Sequence, residues 1–148
     1  MSLLRRLLGQ KSGKMPRPQR LDYLNEALAL ERQGDYEAAL TSYRLALRDN
    51  PDDLRILQNM AIAFTKTGQP DEAVRHYRKA LAHDSTLVGA HYGIAFLLLK
   101  RGEAAPASAH LRAFLENPPR GLDAERWIRH AETTLGRIEA APRAAEML

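Results

Sequence analysis

At 148 residues, with 45% apolar and 27% charged residues, the chain has the length and balance of one globular domain rather than of a disordered or membrane-embedded protein. Its longest apolar run, Ile94 to Leu99, is far below the ~20 residues a bilayer span requires, and the absence of cysteine removes disulfides, thiolate nucleophiles and thiolate zinc sites. The net charge of +4 is uneven: Arg5, Arg6, Lys11, Lys14, Arg17 and Arg20 stand in an acid-free N-terminus, leaving a mildly acidic body that is not expected to bind nucleic acid.

Residues 1–19 are read as a basic, leucine-containing flexible leader. MSLLRRLLG puts Leu3, Leu4, Leu7 and Leu8 on one side of a short helix with Arg5 and Arg6 opposite, and the glycines and prolines of GQKSGKMPRPQR end it. A secretory signal needs an uninterrupted apolar region of ~7 to 15 residues, so this is not one. Three readings compete, in this order: a disordered tail, a weak peripheral anchor on anionic lipid through residues 1–8, and a segment that fills the protein's own groove until a partner displaces it.

From residue 20 the chain keeps a 34-residue beat. Turn glycines recur at Gly34, Gly68 and Gly102. Five positions after each stands Ala39, Ala73 or Ala107, and four further on Tyr43, Tyr77 or Leu111. Three beyond those come Ala46, Ala80 and Phe114, and seven before each glycine lie Ala27, Ala61 and Ala95. Offsets of three and four place these residues on one helical face, so each unit is a pair of helices, over about 20–53, 54–87 and 88–121. Small residues let the two backbones approach, the large ring fills the remaining space, and glycine tolerates the positive φ of the turn. Pro51-Asp52-Asp53 and Pro70-Asp71-Glu72 read as helix starts rather than paired catalytic carboxylates.

Leu122 to Ile138 follows, with Ala124, Trp127, Ile128, Ala131, Leu135 and Ile138 forming one apolar stripe. A capping helix over 122–138 is expected to cover the open end of the stack, with 139–148 as a frayed tail. Phe114, in place of a small residue, is expected to disturb the packing near it.

The spacing of Ala27, Gly34, Ala39, Tyr43, Ala46 and Pro51, repeated as Ala61, Gly68, Ala73, Tyr77 and Ala80 and again as Ala95, Gly102 and Ala107, resembles the tetratricopeptide repeat (TPR) family over about residues 20–119. The sequence departs from the family pattern at Tyr23, Leu57 and His91, where tryptophan is expected, and at Ser85, where the unit closes without proline. The resemblance implies an all-α, right-handed superhelical solenoid of antiparallel helix pairs. It also implies a non-catalytic protein-interaction module or adaptor that binds an apolar or amphipathic peptide segment on its concave face. The alternatives are a chaperone of a secretion or assembly system, and a structural or membrane-associated assembly factor acting through the leader.

In that family the first helix of each unit lines the groove. Carried over by position, the lining is Leu21, Leu24, Asn25, Leu28 and Glu31, then Arg55, Gln58, Asn59, Ile62 and Thr65, then Gly89, Tyr92, Gly93, Phe96 and Leu99. Relatives that clamp an acidic C-terminus carry lysine, asparagine and arginine at the positions matching Leu24, Leu28, Asn59, Gly89 and Gly93, where only Asn59 keeps its identity. A carboxylate clamp is therefore not expected, and the apolar Leu24, Leu28, Ile62, Tyr92 and Phe96 are expected to carry binding. His76, His83, His91, His110 and His130 are read as scattered packing or surface residues. No catalytic residue, cofactor or metal site is expected, and the cytoplasm, with peripheral membrane contact as an alternative, is the expected location.

Overall fold

Aspartates start three of the helices. Asp22, Asp35 and Asp53 each accept a first-turn backbone N–H on a side-chain oxygen, from Asn25, Ala38 and both Arg55 and Ile56 respectively, at 2.9 to 3.2 Å. The fourth start is made by Pro70 at the first helical position, with Asp71 and Glu72 in the first turn. The computed structural model, which describes residues 22–146, has seven helices, the first four begun in these ways: α1 (Tyr23–Arg32), α2 (Tyr36–Asp49), α3 (Leu54–Lys66), α4 (Pro70–His83), α5 (Val88–Lys100), α6 (Ala104–Glu116) and α7 (Ala124–Glu146). The leader, residues 1–19, and Leu21 lie outside the described residues.

Each periodic glycine closes the first helix of its unit in the same way. Gly34, Gly68 and Gly102 have φ of +78°, +74° and +78°. The next residue's N–H reaches back five positions, as from Asp35 to the Leu30 carbonyl at 2.9 Å, Gln69 to Phe64 at 2.8 Å and Glu103 to Leu98 at 2.9 Å. This is a Schellman close, and a side chain at the glycine would cost ~1 to 2 kcal/mol for the left-handed backbone alone. Where the second unit lacks its closing proline, Asp84 holds the turn by accepting the Thr86 N–H at 2.9 Å.

Every helix packs chiefly on its neighbours in sequence, so the described chain is a linear stack. The periodic alanines are at the contacts: Ala27, Ala39, Ala61, Ala73 and Ala107 have no exposed surface. One core cluster runs through the first two units into α5, and a second is built from Ala95, Leu111, Phe114 and Ala131 beneath α7. Phe114 is thus not a disturbance. It is 1% exposed and fills the space between the third unit and the cap, its ring 5.1 Å from that of Tyr92.

The cap differs from expectation at both ends. Leu122 is fully exposed in the turn made by Gly121, and the helix begins at Ala124. It does not stop at 138 but continues to Glu146, because Ile138 packs on the second cluster and Glu139 accepts from Arg112 at 2.7 Å. Residues 147 and 148 lie outside the described residues. Among the described residues no helix is long and apolar enough to cross a membrane.

Two histidines, His76 and His110, predict that the stack loses stability in acid. His76, 8% exposed against the Phe64 ring, donates from Nδ1 to the Glu72 carbonyl at 2.7 Å. Its pKa is lowered by burial and by Arg75 and Lys79, against the opposing pull of Glu72. His110 is lowered by burial, by His91 and by Arg78. A histidine whose folded value lies below its ordinary 6.5 favours the folded state while neutral, and that contribution is lost as pH falls from 6.5 through the folded value. The melting temperature is expected to drop as pH is lowered below 6.5, and a His76→Phe/His110→Phe variant should show a flatter profile. Scanning calorimetry across that window checks both.

Candidate peptide-binding groove

The first helices of the second and third units, α3 and α5, lie side by side and leave between them and α7 an apolar groove of about 880 Å³. That is within the ~300 to 1,000 Å³ typical of ligand sites. Of the nine residues expected to bind a partner, Gln58, Ile62, Tyr92 and Phe96 line it, as do Thr65, Gly89, Gly93 and Leu99. The other five lie outside it. Leu24 and Leu28 are half-buried against the first core cluster, and Asn25 is exposed and bonded through its side chain to Asp22. Arg55 and Asn59 face Tyr43, whose hydroxyl donates to Glu31 at 2.6 Å. The groove therefore draws its lining from the second and third units and α7, and not from the first-unit residues of the expected set.

Tyr77 and Gly93 show how the third unit opens. They are one period after Tyr43 and Asn59. In the first pair, an asparagine side chain meets the tyrosine hydroxyl. In the second, Gly93 has no side chain, and a Cβ there would come within 3.0 Å of three Tyr77 ring atoms, the hydroxyl oxygen included. The Tyr77 ring takes that space and its hydroxyl lines the groove. Burial pushes its pKa up to about 12, so it remains a protonated donor at neutral pH. Gly89 is more open: a Cβ there would meet only Gln58 Oε1, at 3.6 Å.

The far wall comes from α7, expected only as a cap. Trp127, expected on the buried stripe, is 39% exposed, because α7 docks through Ile128, Ala131, Leu135 and Ile138 and turns the adjacent position toward α5. Its ring lies 5.0 Å from that of Tyr92. His130 stacks on Phe96 at 4.5 Å and 2°, and its Nδ1 shares a hydrogen bond with the Tyr92 hydroxyl at 2.7 Å. Sequence offered one signal for this: the lone tryptophan stands at the edge of its stripe, one position before the half-buried Ile128. Trp127 and Ile62, both 39% exposed, face the same groove.

The remaining histidines do not build a metal centre. Glu72 and His76 share the i, i+4 spacing of helical metal sites, but His76 Nδ1 is engaged by the Glu72 carbonyl, and the carboxylate is 3.9 Å away. His91 and His110, on different helices of the third unit, meet through their Nδ1 atoms at 2.9 Å while His91 Nε2 donates to the Ser85 carbonyl at 2.7 Å. This pair ties α5 to α6 and was not legible from spacing. Among the described residues no three His, Cys, Asp or Glu side chains converge to hold an ion.

Stacked helical hairpins with a shallow apolar groove define a helical-repeat protein. Two family models, both described as tetratricopeptide repeat, match residues 20–86 and 64–127, and the chain belongs to the TPR family. Its fold is the right-handed superhelical solenoid of antiparallel helix pairs. No curated protein matches the chain. Among solved structures it is similar to the Yersinia enterocolitica type III secretion chaperone SycD in complex with a peptide of the translocator YopD, at 20% identity and a TM-score of 0.74, over 81% of this chain and 92% of that one. The Sgt2 TPR domain of Aspergillus fumigatus is similar at 26% identity and 0.71, over 88% and 85%. The TPR2B domain of yeast Sti1, in a complex with Hsp70, is similar at 23% and 0.67, over 80% and 94%.

Proposed function

We propose that this protein is a non-catalytic adaptor that holds an apolar or amphipathic peptide segment of another protein in the groove between α3, α5 and α7. The observation that carries this is the convergence of Ile62 and Trp127, two of the three exposed large apolar side chains among the described residues, on one groove floored by Tyr92 and Phe96. A peptide side chain covering such a residue contributes ~1.5 to 3 kcal/mol, and aromatic anchors are the usual centres of such interfaces. The helices that form the groove are already packed, so little ordering opposes binding. Two neighbours of the same fold, SycD in complex with a peptide of YopD and the Sti1 domain in a complex with Hsp70, support a ligand drawn from another protein. The apolar lining, with no clamp of cations at Leu24, Leu28, Gly89 and Gly93, favours a chaperone-like client segment over an acidic C-terminus as the second-choice detail of the same reading.

Peptides selected from a random library against the full chain test the site. Trp127 is the only tryptophan, so its emission should shift to the blue as a selected peptide covers it. Ile62→Glu, at an exposed position, should weaken the same peptides by about 10- to 100-fold without loss of helicity. Equal affinity for the variant, with unmoved emission, would place the binding surface elsewhere.

A further inference from the structure

The lining of the groove contains lysine and histidine but no aspartate or glutamate. Lys66 and Lys100 occupy the last turns of α3 and α5. These helices run the same way, each separated from the next by one antiparallel partner, so both ammonium groups stand at one end of the groove. With Arg32 at the end of α1 they continue the 34-residue beat. Each complements its own helix end, yet neither is used up by it. Among the described residues Lys66 and Lys100 have no ion-pair partner, while Asp71 and Glu103, which follow these helices in sequence, pair with Arg101 at 3.5 and 2.9 Å. On α7, exposed Arg126 and Arg129 line a second, neighbouring pocket together with Glu125, and His130 is shared between that pocket and the groove.

A partner seated on the apolar floor would therefore meet the unpaired ammonium groups of Lys66 and Lys100 at one end of the groove. Resting on the adaptor reading above, we infer that the groove selects an internal amphipathic segment of another protein whose apolar side chains cover Ile62 and Trp127 and whose acidic side chains flank them at the Lys66–Lys100 end. Charge complementarity argues against the chain's own leader, which carries six basic residues and no acid over residues 1–20. The cations sit at the helix ends rather than at Gly89 and Gly93, so they address side-chain carboxylates along a segment and do not require a free C-terminus.

The test uses the full chain and a random peptide library embedded in a carrier loop, so that no C-terminal carboxylate is available. Enriched sequences should combine leucine, isoleucine, phenylalanine or methionine with aspartate or glutamate on one flank. Lys66→Glu/Lys100→Glu should weaken an acid-flanked peptide about tenfold at low salt and less as salt screens the pair. It should leave the glutamine-flanked version unchanged. Apolar peptides enriched without acids, or an acid-flanked peptide indifferent to the double reversal, overturn the charge selection while the groove reading stands. Insensitivity of every peptide to Ile62→Glu overturns the groove reading itself. Binding only of free C-terminal carboxylates overturns the internal-segment inference. Binding that appears only after Leu3, Leu4, Leu7 and Leu8 are changed to serine assigns the groove to the leader. A doubled mass in sedimentation, reverting with Ile62→Glu, assigns it to a second copy; either result overturns the inference.

Discussion

Ala73→Trp is expected to unfold the array, seen as loss of the cooperative melt and most of the helical circular dichroism at 25 °C. Ala73 is fully buried on α4, at the position that Ala39 holds on α2 and Ala107 on α6, and none of the three has exposed surface. Extra methylenes in a packed core cost ~1 to 3 kcal/mol, and an indole requires far more displacement than that. A domain has only ~5 to 15 kcal/mol to lose. Ala73 lies in the central unit, so forcing α4 away also opens its contacts with both neighbours in a stack stabilised unit by unit. Retained helicity and an unchanged melting temperature would falsify the close-contact packing. Ala73→Gly, which removes volume and adds backbone freedom, should cost only ~1 kcal/mol from helix propensity plus a small cavity term.

Phe114→Ala should cost ~3 to 5 kcal/mol, but with a local outcome. The ring is almost fully buried between the third unit and α7, in a cluster separate from the main core. Because each helix packs chiefly on its neighbours in sequence, the loss falls first on the docking of α7 rather than on the first two units. Urea unfolding followed by Trp127 emission should then precede unfolding followed by far-ultraviolet circular dichroism. Coincident transitions with an unmoved midpoint would show that α7 does not depend on Phe114. Peptide binding should fail together with the tryptophan signal, since α7 carries Trp127 and His130 into the groove.

Those two variants also divide what was legible beforehand from what was not. The alanines, tyrosines and glycines on the 34-residue beat encode local events: a Schellman close at each glycine, a small contact five residues later, an aspartate or proline at helix starts. Each is specified within one hairpin, so spacing alone reveals it. Phe114 looked like a misfit because its filling partner is a helix outside the repeat. Leu24 and Leu28 match groove positions by number, and the structure half-buries them against the first core cluster, outside the apolar groove.

The sequence by itself determined the helical-hairpin period, the number of units, the positive-φ turns and the apolar face of the final helix, because these depend on neighbours three to five residues apart or on a repeat of identical spacing. Only the tertiary structure decided where the groove lies. Trp127 faces α5 because α7 docks through the adjacent position, Tyr77 reaches the floor because Gly93 yields space that Asn59 does not, and Lys66 and Lys100 share one end because their helices run parallel. These are relations between side chains of different hairpins, set by the angle at which one unit packs on the next, and no local spacing specifies that angle.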